Sequence, residues 1–111
     1  MEIVRTQTYV RNLKRLAKLG ATDADIVAME NEIAANPRVG EVIKGSGGMR
    51  KARFGFGRSG KSGGGRTIYY AVTEDEVLYL ITAYAKVDKD DLHPNEIKLF
   101  KGLIEELTDD R

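Results

Sequence analysis

The sequence predicts an α+β domain, with helices packed on one face of a mainly antiparallel sheet and elements in the order β-α-α-β-β-β-α. Three observations predict it. Apolar residues fall at helical spacing in the first third and again after Pro94; Met49 to Phe56 alternates; and two β-branched and aromatic runs are joined by a polar tetrapeptide. The 111 residues, 41% apolar and 32% charged, suit a single domain over 1–111. Such a length needs neither metal nor disulfide to build a core. The absence of cysteine removes thiolate ligands and thiol nucleophiles together. No run approaches the roughly 18 apolar residues of a membrane-spanning helix. No membrane partner and a cytoplasmic location are therefore expected.

Glu2 to Thr6 is short and β-compatible. Val10, Leu13, Leu16 and Ala17 then mark a first helix that Gly20 can stop. Arg5, Arg11, Lys14, Arg15 and Lys18 stand there against Glu2 alone, and with no apolar segment following they are read as folded domain. Thr22 or Asp23 caps a second helix lined by Ile26, Val27, Met29, Ile33 and Ala34, which Asn36-Pro37 ends. From Met49 to Phe56, Ala52, Phe54 and Phe56 share the core face, while Lys51 and Arg53 make the other face cationic. Thr67 to Val72 and Val77 to Ala85 flank the turn Thr73-Glu74-Asp75-Glu76 and should pair antiparallel. Leu92-His93-Pro94 opens a last helix, with Ile97, Leu99, Phe100, Leu103, Ile104 and Leu107 available for burial.

A net charge of +1 conceals a segregation. Between Val42 and Thr73 stand Lys44, Arg50, Lys51, Arg53, Arg58, Lys61 and Arg66, with no acidic residue; the remainder holds eleven basic and seventeen acidic residues. The middle is thus +7 and the rest −6, which points to a local anion site. Nine of the twelve glycines lie in the same window, so part of it is expected to be a flexible basic loop able to close over a polyanion. Gly55 to Ser62 fits the phosphate-loop pattern G-x-x-x-x-G-K-[ST]. That pattern works through a following helix N-terminus, whereas Gly63-Gly64-Gly65-Arg66 leads into a strand, so nucleotide hydrolysis is discounted. His93 is the only histidine and reads as a helix-start residue. Asp88, Asp90 and Asp91 lack calcium-loop spacing and read as solvated turn charges. Glu105, Glu106, Asp109 and Asp110 form an acidic tail that ends the helix in solvent or shields the basic face.

Several stretches then fall into a recognisable order. They are Asn36-Pro37, Gly40-Glu41-Val42-Ile43, Gly45-Ser46-Gly47-Gly48-Met49-Arg50-Lys51-Ala52-Arg53, Gly65-Arg66-Thr67-Ile68-Tyr69-Tyr70, Tyr79 to Lys86 and Asp90-Asp91-Leu92. Together they closely resemble the RelE/HigB toxins of bacterial type II toxin–antitoxin systems, especially the HigB-like branch. The resemblance implies a microbial-ribonuclease-like fold that cleaves messenger RNA in the ribosomal A site. It implies a metal- and cofactor-free reaction in which the ribose 2′-hydroxyl attacks the adjacent phosphate. The implied partners are the 70S ribosome, messenger RNA and a cognate helix-turn-helix antitoxin, through which the complex binds operator DNA. An alternative from the same fold is a ParE-like toxin that inhibits DNA gyrase without cutting RNA.

Such cleavage needs a base, positive charge at the phosphorane and an acid for the leaving oxygen. Without a strand histidine, Lys, Arg and Tyr must supply all three. Arg66 matches a family arginine associated with transition-state charge. Lys51 and Arg53, two apart on one strand face, can converge on one phosphate, or form an ordinary solvent-facing pair. Tyr84 and Lys86 match the family's stacking aromatic and a further polar group, although Tyr84 also reads as a core residue with a satisfied hydroxyl. Arg50, Arg58 and Lys61 are expected to grip RNA phosphates. Replacing Arg66 by Ala is expected to abolish toxicity with little loss of folding, as for a polar-face residue that opens no core cavity.

Overall fold

A computed structural model of the chain describes residues 1–58, 60–61 and 63–109. The elements are β1 (Glu2–Arg5), α1 (Gln7–Lys18), α2 (Asp23–Ala35), β2 (Glu41–Val42), β3 (Arg50–Phe54), β4 (Gly65–Val72), β5 (Val77–Ala85) and α3 (Pro94–Thr108). The five strands form one sheet in the order β1-β5-β4-β3-β2. β1 runs parallel to β5, and the other three pairings are antiparallel. The expected elements are all present, with the two-residue β2 added at the edge beside β3.

Local chemistry sets the helix ends. The Thr6 hydroxyl caps α1 by accepting the Tyr9 N–H, and Thr22 and Asp25 make a reciprocal capping box on α2. Pro94 occupies the first turn of α3, where the Glu96 carboxylate accepts the His93 N–H at 3.0 Å, as a helix start requires.

The helices are distributed differently from the expected single-face arrangement. α1 and α2 pack on one face, where Tyr9, Leu16, Ile26, Met29 and Ile33 meet Phe54, Tyr69, Leu78 and Leu80. α3 crosses the opposite face, laying Phe100 and Ile104 on Ile68, Val77, Tyr79 and Ile81. The cause lies in β5, all nine residues of which are buried. A strand buried along its whole length, apolar except for Thr82, has two faces to cover, and only a helix on each side covers both. α3 therefore takes up part of the face expected to lie open. Two residues assigned to burial face solvent instead: Leu99 is 68% exposed and Val27 is 47% exposed.

A buried polar network locks β1, α1 and α2 together. Glu30 on α2 is 5% exposed, accepts the Tyr9 hydroxyl at 2.7 Å and pairs with the Arg5 guanidinium at 2.8 Å. Burial, reinforced by the neighbouring Glu30 carboxylate, raises the Tyr9 hydroxyl well above its ordinary range and keeps it a donor. Replacing Tyr9 by Phe removes one bond to a charged acceptor and is expected to cost about 1–2 kcal/mol. Glu30→Ala leaves the buried Tyr9 hydroxyl without its acceptor, releases the part-exposed Arg5 to water and opens a void, and is expected to cost about 2–3 kcal/mol. Urea unfolding of the two variants measures the difference, and equal, negligible losses would remove the network from the folding energetics.

Candidate functional site

Strand register brings the charges together. Arg53 on β3 pairs with Arg66 on β4, and Arg66 pairs with Tyr84 on β5, so the three stand in one row across the sheet. Directly paired residues have β-carbons about 5 Å apart. Lys51 lies two residues from Arg53 on the same face, opposite Ile68. This row lies on the α3 face, with Tyr84 at its inner end packed in one cluster with Phe100 of α3. There Lys51, Ile68, Tyr84, Asp91, Leu92 and Ile97 help line a cavity of about 220 Å³.

Arg66 is 2% exposed. β4 begins hard against β3 before it: a β-carbon at Gly64 would lie 2.3 Å from the Phe54 carbonyl oxygen and one at Gly65 would lie 2.6 Å from the Phe54 ring. Only bare backbone lets β4 start so close to β3. The Arg66 guanidinium donates to the carbonyls of Gly65 at 3.0 Å and Lys61 at 3.4 Å, and stands 3.7 Å from the Asp90 carboxylate. Lys51 Nζ pairs with the carboxylate of Asp91. The Tyr84 hydroxyl donates to the Asp90 carbonyl at 3.4 Å, and the Lys89 ammonium lies 5.0 Å from the centre of the Tyr84 ring. The hydrogen bond from Lys51, with the fields of Lys51, Arg66 and Arg53, holds the Asp91 carboxyl below its ordinary range. Burial, with the Asp91 charge, pushes Tyr84 up to about 12.

Arg66, Lys51, Arg53 and Tyr84 are thus assembled as one group, while the other expected site residues stand apart. Lys86 is exposed in the turn just beyond β5, its backbone N–H bonded to the Gly64 carbonyl. Arg50 belongs to the opposite face: one residue from Lys51 in a strand, it points the other way and donates to the Gly40 carbonyl at 2.8 Å. Lys61 pairs with Glu32 on α2 at 2.7 Å, which draws the basic loop toward that helix, and Arg58 is exposed in the same loop. Ser59 and Ser62 of the phosphate-loop pattern, and Asp110 of the acidic tail, lie outside the described residues. The pattern leads into β4 without a helix, as expected. Arg66 is also no simple polar-face residue; it ranks among the largest fully buried side chains, so truncation to Ala leaves a void and strips Asp90 of its partner. Asp90 and Asp91, read as solvated charges, are 70% exposed and also serve as counter-ions of the site. The signal for them was the +7 window itself, which calls for neutralisation from the acidic remainder. No group of three metal-ligating side chains forms among the described residues.

Residues 1–110 match the family model described as the RelE toxin of the RelE/RelB toxin–antitoxin system. The chain belongs to the RelE toxin family. Its fold is similar to that of the isolated E. coli RelE toxin, at 19% identity over 92% of this chain and 97% of that one, with a TM-score of 0.54. It is similarly related to an E. coli RelE double arginine-to-alanine mutant in the free state, at 21% identity over 80% of this chain and 86% of that one, with a TM-score of 0.53.

In this RelE-family chain, the sequence stretches that carried the resemblance divide into scaffold and site. The Tyr69 hydroxyl donates to the Pro37 carbonyl at 2.6 Å and accepts the Gly40 N–H at 2.9 Å, so Asn36-Pro37 and Gly40 anchor the edge of the sheet. The buried Ser46 hydroxyl donates to the Ile43 carbonyl at 2.6 Å and accepts the Met49 N–H at 3.0 Å, closing the turn into β3. These bonds fix the strand that carries Lys51 and Arg53.

Asp25, through the Thr22 N–H, Asp88, through Arg15, and Asp91, through Lys51, are all held below the ordinary carboxylate range. Their folded forms bind protons less readily than the unfolded chain, so their contribution is complete above about pH 4 and is lost as pH falls through the lower folded values. Thermal melts should give a constant Tm from pH 7 to about pH 5 and a falling Tm below about pH 4. A Tm unchanged at pH 3 would show that these contacts do not favour the folded state.

Proposed function

We propose that this RelE-family toxin is a ribosome-dependent endoribonuclease that cuts messenger RNA in the ribosomal A site and so inhibits translation. The observation that carries the reading is the Arg53–Arg66–Tyr84 row with Lys51 beside it, three cations and a phenol on one sheet face. A phosphorane gathers negative charge on its equatorial oxygens, and Arg66 and Arg53 are placed to hold them. Tyr84, protonated throughout the neutral range, is the proton donor for the leaving 5′-oxygen. Lys51 orients the attacking 2′-hydroxyl, whose proton passes to solvent water as the O2′–P bond forms and the P–O5′ bond breaks. The products are a 2′,3′-cyclic phosphate and a 5′-hydroxyl, with no metal in the reaction. Arg58 and Lys61 in the exposed loop contribute salt-sensitive phosphate contacts. A cognate antitoxin, expected from the family to be a helix-turn-helix protein, holds the toxin inactive and carries the complex to operator DNA.

The test is cleavage of end-labelled messenger on programmed 70S ribosomes, beside the same messenger free in solution. Wild-type protein should cut only ribosome-bound messenger, at a rate unaffected by chelator. Arg66→Gln, which retains most of the buried volume, and Tyr84→Phe should each slow cutting about 100-fold while staying folded. Cutting at wild-type rate by either folded variant would remove that residue from the chemistry. Intact messenger together with inhibited gyrase supercoiling would establish the ParE-like alternative.

A further inference from the structure

Residues 86–92 run from the end of β5 to the cap of α3 directly across the cationic row. Two successive carboxylates from this segment reach two different cations of the site, Asp90 to Arg66 at 3.7 Å and Asp91 to Lys51. The Asp90 carbonyl also takes the Tyr84 hydroxyl. Arg66 is 2% and Tyr84 6% exposed, covered by this segment together with the Lys61 backbone and Phe100 of α3, so a polynucleotide cannot touch either while these are in place. The cover is weakly anchored. Between Ala85 and Leu92 the one apolar side chain is Val87, which is 78% exposed. The segment is otherwise held by the Lys86 N–H bond to the Gly64 carbonyl, the Lys89 contact with the Tyr84 ring and polar pairs open to water, Arg15–Asp88 and Lys89–Glu96, with no buried apolar anchor of its own before Leu92.

We propose that Asp90 and Asp91 are internal occupants of the substrate-phosphate site, a strap whose carboxylates neutralise Arg66 and Lys51 until RNA displaces them. The inference rests on reading this face as the RNA site. A phosphodiester carries the same unit charge as a carboxylate and accepts the same hydrogen bonds, so the exchange leaves no cation uncompensated. The closed strap is therefore a competitor tethered to the chain, and it lowers apparent affinity in proportion to its closed population.

The test compares wild-type protein with Asp90→Asn/Asp91→Asn, which keeps side-chain size and removes both charges. A Glu105→Gln/Glu106→Gln control changes net charge equally on an exposed part of α3. Three quantities are read: the acylation rate of Lys51 by an amine-reactive ester, followed by mass spectrometry; the inorganic pyrophosphate concentration that protects Lys51; and the affinity for a 2′-O-methylated single-stranded RNA that cannot be cleaved. In the strap variant Lys51 should react about three- to tenfold faster, and pyrophosphate and RNA should each bind about three- to tenfold more tightly, with the control unchanged. Unaltered labelling or pyrophosphate protection in the folded strap variant overturns the proposal, as does an equal gain in the control or equal RNA affinity in all three proteins. A gain for pyrophosphate with no RNA binding by any of the proteins keeps the strap and removes the nuclease reading instead.

Discussion

Arg66 carries a permanent charge on β4 at 2% exposure, and a charge so placed must be surrounded by oxygen acceptors. Among the described residues, acceptors come from the Gly65 carbonyl on its own strand, the Lys61 carbonyl from the glycine-rich loop and the Asp90 carboxylate from the segment after β5. Each donor–acceptor contact constrains a piece of chain that would otherwise be free to wander. The course of the basic loop near Lys61 and the path from β5 into α3 both follow from accommodating that guanidinium. The same arrangement makes it chemically useful, because a cation already surrounded by fixed dipoles needs little reorganisation when a developing oxyanion replaces its counter-ion.

The separation of +7 from −6 along the sequence is partly undone in space. Asp91, Asp90 and Glu32 return from the acidic remainder to Lys51, Arg66 and Lys61. Arg53 and Arg58, exposed on the same middle segment, are left to project positive potential into solvent. The two sets divide the electrostatic work. Exposed cations act at a distance, are screened by salt and speed encounter. Covered cations act only on contact, once their internal partners have left.

Much of this was legible beforehand because strand periodicity is rigid. Two-residue spacing put Lys51 and Arg53 on one face, and by the same rule it excluded Arg50, which the density of charge had nonetheless drawn into the RNA-binding set. The helices were legible from their ends, Thr22 or Asp23 before the second and Pro94 in the first turn of the last, whereas the capping partners Asp25 and Glu96 were not, nor was the face each helix covers. That depends on β5, whose run, apolar except for Thr82, signals burial on both sides only once its central place in the sheet is known. Neither the depth of Arg66 nor its pairing with Asp90 has a local signature. The two residues are twenty-four apart, and their meeting is set by the antiparallel return of β5 along β4.

If the proposed function holds, a strap over the cationic row bears on why that reaction would require a ribosome. Free single-stranded RNA must displace the carboxylates and also surrender its own conformational freedom, and the two costs add. A messenger already ordered in the decoding site has given up that freedom before the toxin arrives, so more of its interaction with Arg66 and Lys51 remains available to open the strap. Since apparent affinity scales with the population competent to bind, the closed segment weakens every RNA by the same factor. It therefore creates no preference among sequences. Under the proposed function it adds the same cost to disordered and to pre-ordered RNA, so the advantage of pre-ordered RNA comes from the ordering cost alone, without any residue that recognises the ribosome itself.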